Sequence, residues 1–197
     1  MLVSFTGAQS TGKSTLLDVC AKAIFDEDVD VHQPVNRWEF VPEVTRMIKR
    51  THNVDINEQG TDDTQLLIMN QHHVNVMSHK NSTANFLLDR CAVDGYVYSL
   101  YLHRHGRISD NTWNIVKCMY NHLLPEYDWI FYTHPEGIPI ENDGERSVDV
   151  DFRNEIIDIY ENELDWSEYH RHKTHWVELR GNPEARLEIM LDCLEPS

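Results

Sequence analysis

The segment Gly7-Ala8-Gln9-Ser10-Thr11-Gly12-Lys13-Ser14 meets every fixed position of the pattern G-x-x-x-x-G-K-[ST]. That pattern serves one chemistry. A loop whose backbone N–H groups wrap a phosphate needs glycine, which permits both the dihedrals and the close approach. Lys13 supplies a point charge that reaches the β- and γ-phosphates, and the Ser14 hydroxyl offers a ligand to Mg²⁺. Gly7, Ser10, Thr11, Gly12, Lys13, Ser14 and Thr15 are therefore the expected nucleotide-binding residues, with ATP and Mg²⁺ as the implied cofactors.

Asp89 ends the apolar run Phe86-Leu87-Leu88, where a phosphoryl-transfer site keeps a carboxylate near its metal. Ser14 and Asp89 form the expected metal-binding pair. Glu43 sits at the carboxyl end of another short apolar segment, placed to accept a hydroxyl proton or to bind a sugar hydroxyl. The residues do not choose between Glu43 and Asp89 as the base. Arg46, one turn beyond Glu43, and Arg90, beside Asp89, are the cations expected near the substrate. Tyr98 is a candidate wall for a nucleoside pocket. Phosphoryl transfer builds negative charge on equatorial oxygens, which a closing lid can meet with arginine while it excludes water. Arg146 and Arg153 are the candidates for that task, and they complete a catalytic set with Lys13, Asp89 and Glu43. The histidines His72-His73, His103/His105 and His170/His172/His175 have no companion ligands at a recognised metal spacing.

These side chains need elements to hold them. Leu2-Val3-Ser4-Phe5 reads as a buried strand before the loop, and Leu16, Leu17, Cys20, Ala21, Ile24 and Phe25 recur at helical spacing after it. Trp38–Val41 is a second strand, with Pro42 opening the next helix. A long helix is expected from Thr61 to about Lys80, with Leu66, Met69, His73, Val76 and Met77 along its inner side. Asn85–Arg90 gives a third strand, then come helices from Ala92 to about His105 and from Ser109 to Leu124. Asp128–Tyr132 is the fourth strand and Thr174–Leu179 the fifth, separated by a lid at about 134–153 and a helix over Phe152–Leu164. Asn182-Pro183-Glu184 caps a last helix to about Leu194. Alternating strands and helices predict a single α/β domain over 1–197, a parallel sheet with helices on both faces and a small lid.

Of the 197 residues, 17 are Lys or Arg and 33 Asp or Glu, a net charge of −16 with neutral histidines. Such a surface repels phosphate backbones, so a general nucleic-acid coat is excluded and small charged ligands held by clustered arginines are favoured. The four cysteines are far apart in sequence and form no disulfide or zinc pattern. No apolar run is long enough to span a membrane, and the opening segment shows no signal peptide, so a cytoplasmic location is expected.

The order of the P-loop, Pro42-Glu43-Val44-Thr45-Arg46, Asp89-Arg90 with Asp94 and Tyr98, then Asp143-Gly144-Glu145-Arg146 with Phe152-Arg153, resembles a known family. It is similar to the small P-loop kinases related to the nicotinamide-riboside kinase domain of the bifunctional NAD-biosynthesis regulator, many of them bacterial or phage-encoded. More distantly it resembles thymidylate and deoxynucleoside kinases. The resemblance implies a five-stranded parallel sheet in the P-loop kinase order. It matches Asp89 to the family's Asp-Arg carboxylate, Glu43 to its second-strand acidic residue, and Arg146 and Arg153 to its lid arginines. It adds Asp94 to the substrate-binding set and places the Gly181-Asn182-Pro183 turn near the adenine. With no adenylyltransferase domain ahead of the P-loop strand, nicotinamide riboside is not singled out as the acceptor.

Three activities fit these residues. The first is an ATP- and Mg²⁺-dependent kinase for a small nucleoside or nucleoside monophosphate. The second is a polynucleotide kinase acting on a 5′-hydroxyl or a hydroxymethylated base, using a stripe through Arg46, Lys49, Arg50, Arg104 and Arg107 against the overall charge. The third is a nucleotide-dependent ATPase switch; the guanine-reading N-K-x-D pattern is absent from the sequence.

Overall fold

The computed structural model describes residues 1–26, 37–136, 149–164 and 173–194. The strands are β1 (Leu2–Thr6), β2 (Trp38–Val41), β3 (Asn85–Asp89), β4 (Trp129–Thr133) and β5 (His175–Leu179). All are parallel, in the order β2-β3-β1-β4-β5. The helices are α1 (Lys13–Asp26), α2 (Val44–His52), α3 (Asp62–Lys80), α4 (Ala92–Arg104), α5 (Asp110–Leu123), α6 (Val150–Asp158) and α7 (Pro183–Leu194).

Strand residues alternate between two cores, as the period of two requires. Leu2, Phe86, Leu88, Ile130 and Tyr132 pack against residues of α3, α4, α5 and α6. Val3, Phe5, Leu87 and Phe131 point the other way, onto Leu16 and Cys20 of α1 and Met190 of α7. β1 is buried along its whole length, so the loop that follows it rises from the centre of the sheet. This is where open parallel sheets bind ligands, at the carboxyl ends of their strands.

Several boundaries differ from the sequence reading, each for a local reason. Pro42 does not open α2. Glu43 is its N-cap residue, with φ −54° and ψ 116°, and its carboxylate turns toward arginines rather than the helix N–H groups. Thr61 caps α3 by accepting from the Thr64 N–H, as the start signal suggests. The inner face of α3 is not the apolar stripe, however: Gln65, Ile68, Met69, His72, Asn75 and Val76 are buried while Met77 is exposed. That face borders a polar cavity, which apolar periodicity does not register. α5 starts after its cap Ser109 and ends at Leu123, as expected, and a 3₁₀ turn (Leu124–Glu126) holding Pro125 follows it. The helix expected to reach Leu164 leaves α geometry after Asp158 and widens into a π turn over Ile159–Glu163. Most of the expected lid, Arg146 included, lies outside the described residues.

Candidate active site

The phosphate loop begins where β1 ends. Gly7 has φ 138°, and a Cβ there would sit 2.7 Å from Thr133 Oγ1 and 2.9 Å from Thr133 O. Ser10 (φ 54°) and Gly12 (φ 82°) also take left-handed dihedrals, which curl the loop into a nest of backbone N–H groups. Lys13 opens α1. Its ammonium donates to Gly7 O (2.7 Å), Ala8 O (2.5 Å) and Thr11 Oγ1 (3.2 Å). Burial pulls the Lys13 pKa down to about 7 and Arg90 adds to this, against the opposing pull of Asp94, Asp89 and Glu43.

β3 brings Asp89 alongside. The Ser14 hydroxyl donates to Asp89 Oδ2 at 3.2 Å, while the buried Oδ1 has no hydrogen-bond partner. Burial, followed by the Glu43 charge, pushes the Asp89 carboxyl above its usual range, with Arg90 and Lys13 opposing. A carboxylate oxygen with open lone pairs beside a serine hydroxyl suits a small hard cation that completes its shell with water and phosphate oxygens. The residues present therefore fit Mg²⁺.

Arg90 follows Asp89 with φ 82°, a turn that swings its side chain under the loop. Its Nε donates to Glu43 Oε1 (2.7 Å), and one terminal nitrogen donates to Asp94 Oδ1 (2.8 Å) and Gly7 O (3.4 Å). The guanidinium lies 5.4 Å from the Tyr98 ring centroid. Glu43 Oε2 accepts from Arg46 at 2.9 Å. Burial works against the Glu43 charge, but Arg90, Lys13 and Arg46 outweigh it and hold the carboxyl below its usual range. Lys13, Arg90 and Arg46 thus face Glu43, Asp89 and Asp94, a cluster in which the charges balance.

Asp94 lies at the wall of the same cavity as Tyr98, with its oxygens held by the protein. Oδ2 accepts from Thr6 Oγ1 (2.8 Å) and the Cys91 N–H (3.0 Å), and Oδ1 from Tyr160 (3.0 Å) and Arg90. Both oxygens are committed, so Asp94 caps α4 and anchors Arg90. Tyr98 does line a cavity, and its hydroxyl donates to Gln9 Oε1 at 3.1 Å. That cavity is a narrow, partly open slot between α3 and α4, walled by Thr45, Asn57, Gln65, Ile68, His72, Arg90, Asp94, Gly95 and Tyr98. Gln65 accepts from Ser99 at 2.9 Å. His72 is buried with an unpartnered Nδ1, and burial lowers its pKa to about 4, so the ring is neutral.

Gln65 escaped the sequence reading and His72 entered it only as a metal ligand set aside, although two polar residues seven apart on the same side as Ile68 were the available signal. Arg153 is buried, and donates to Gln9 O and Ser10 O at 3.2 Å each. Arg186 of α7, which nothing in the sequence marked, donates to Thr11 O (2.7 Å), His134 O (2.7 Å) and Gly181 O (2.9 Å).

The model of the AAA domain family matches residues 2–186. The chain belongs to that family. The AAA domain shares its fold with solved structures that cover 98% of its length. Deoxyadenosine kinase from M. mycoides, with products dCMP and a flexible dCDP bound, superposes with a TM-score of 0.66 at 12% identity, over 98% of that chain. The same enzyme with bound dATP gives 0.62 at 14% identity, over 99% of its chain. The NadR protein in complex with NR gives 0.63 at 18% identity, and the AAA domain spans 50% of it. At these identities the likeness is one of fold. The sequence has no match among curated proteins.

Proposed function

We propose that this AAA domain is an ATP- and Mg²⁺-dependent kinase that transfers the γ-phosphoryl group to a hydroxyl of a small nucleoside or nucleoside monophosphate. The observation that carries the reading is the junction at Arg90. This one side chain touches the phosphate loop at Gly7 O and the Glu43 carboxylate, and lines the slot between α3 and α4. Donor phosphates and a small acceptor would meet there.

The roles follow from the contacts. Backbone N–H groups of the loop and Lys13 bind the triphosphate, and the Lys13 ammonium exchanges its carbonyl partners for phosphate oxygens. Ser14 and Asp89 would hold Mg²⁺, which when bound neutralises charge on the β- and γ-phosphates. With Asp89 assigned to the metal, the role of orienting the acceptor hydroxyl goes to Glu43, which Arg90 and Arg46 hold in place. Its depressed pKa keeps it anionic, and a loose transition state asks for positioning more than for a strong base. Arg90 stabilises charge on the transferred group. Tyr98, Gln65 and the neutral His72 line the acceptor pocket. The structures of deoxyadenosine kinase with dCMP and dCDP and of NadR with NR support a nucleoside or nucleotide as the acceptor.

The test is transfer of γ-labelled phosphate from ATP with Mg²⁺ to nucleosides (nicotinamide riboside included), nucleoside monophosphates and 5′-hydroxyl or hydroxymethylated oligonucleotides. Label on a small acceptor that disappears in Lys13→Ala is the expected result. Label confined to oligonucleotides, or released only as inorganic phosphate, overturns it.

A further inference from the structure

We propose that Arg153 and Arg186 are positioning residues for the donor nucleotide, which hold three successive loop carbonyls outward so that the next three N–H groups face the phosphates. The proposal rests on the kinase reading only in taking the loop as the triphosphate site.

The argument begins with peptide geometry. In a planar trans peptide the C=O of one residue and the N–H of the next point in opposite directions, and no cis bond occurs among the described residues. Arg153 Nε and one terminal nitrogen take Gln9 O and Ser10 O, and Arg186 takes Thr11 O. The N–H groups of Ser10, Thr11 and Gly12 must then point away from both guanidinium groups, into the loop. On the other side the Lys13 ammonium gathers Gly7 O and Ala8 O, which turns the N–H groups of Ala8 and Gln9 out of the cradle. The switch falls between Gln9 and Ser10, where Ser10 takes φ 54°.

Guanidinium groups this deeply placed need a reason. Arg153 is 9% exposed and Arg186 2%. Burying a charge is costly unless its hydrogen bonds are met. For Arg186 the partners among the described residues are neutral backbone carbonyls, so its charge is left to act on whatever the loop holds. The two arginines approach from opposite faces of the sheet, on α6 and α7, whose cores are separate. Their planar forks can take adjacent or diverging carbonyls in a way a lysine cannot.

Arg153→Lys and Arg186→Lys keep the charge and lose the fork. Both are expected to weaken Mg-ATP and tripolyphosphate binding by about tenfold or more in calorimetry. In ¹⁵N-resolved NMR, the downfield amide shifts of Ser10, Thr11 and Gly12 on adding ATP should shrink, while the remaining spectrum stays native. Wild-type affinity in the lysine variants, or undiminished shifts at those three amides, overturns the proposal, as does a lost affinity accompanied by spectral change throughout the fold. If Arg186→Lys does not fold, Arg153→Lys decides alone through Ser10 and Thr11. A wild-type protein whose ATP affinity is absent, or unchanged by Lys13→Ala, fails differently: it removes the donor-site reading and this proposal with it.

Discussion

Lys13 stores a proton equilibrium that ATP binding must disturb. In the free protein its pKa is about 7, lowered by burial and by Arg90. Phosphate oxygens at the ammonium favour the charged form, so binding raises that pKa. Below pH 7 the lysine is charged in both states and affinity is flat. Above pH 7 the free protein has lost the proton and must recover it, so affinity falls by up to about tenfold per unit. Calorimetry at pH 8 in two buffers of different ionisation enthalpy should therefore read proton uptake on ATP binding, and Lys13→Met should abolish it. Glu43→Gln removes the carboxylate proposed to orient the acceptor and should lower kcat by about 10²–10³ with ATP affinity retained. Asp89→Asn should instead raise the Mg²⁺ requirement. His72 bears on stability. Its pKa of about 4 in the fold lies below the unfolded value. Between those values the unfolded chain binds more protons, so stability falls as pH drops from about 6.5 to 4, by up to about 3 kcal/mol. Urea titrations of His72→Gln against the wild type should show that slope reduced.

At the scale of elements, the loop depends on β4 as much as on its own glycines. Gly7→Ala would put a methyl group against Thr133 and force φ 138° on an L side chain. A loss of about 2 kcal/mol or more, seen as a lower thermal midpoint, is expected together with failed ATP binding. Thr61→Ala, by contrast, removes one cap of α3 and should cost about 1 kcal/mol with binding intact. The strands were legible because parallel strands buried on both faces read as short apolar runs, and Phe86-Leu87-Leu88 is one. The loop was legible because its fixed residues sit together. The proposed acceptor pocket was not. Gln65 and His72 lie on a helix whose buried face is part cavity, and the apolar stripe pointed to Met77, which is exposed. Arg186 was invisible for another reason: its partners are backbone carbonyls, which carry no residue identity. Asp94 was found for its place beside Arg90, but a side chain saturated by four donors cannot be told from one awaiting substrate until the partners are in view.

For the molecule as a whole, the net charge of −16 and the narrowness of the slot favour a compact acceptor. Three residues of the basic stripe have partners within the protein. Arg46 pairs with Glu43, Arg104 with Glu163, and Arg107 with Gln59. Raising salt from about 50 to 200 mM should leave the acceptor KM nearly unchanged, whereas binding through many backbone phosphates would lose about 10³–10⁵ in affinity. No helix among the described residues is long and apolar enough to cross a membrane.

The place of β1 at the middle of the sheet has a consequence for how the protein is made. Leu2 pairs with Phe86 and Val3 with Trp129, so the central strand leaves the ribosome long before either neighbour exists. Until β3 arrives it has no hydrogen-bond partner, and until β4 arrives one of its edges stays open, with Val3 and Phe5 lacking Phe131 for company. Pairings so distant in sequence form slowly, and the waiting state exposes apolar strand to other chains. Yield in a cell should therefore respond to the pace of translation and to chaperone supply. A chain cut before Trp129 should aggregate rather than survive as half an enzyme.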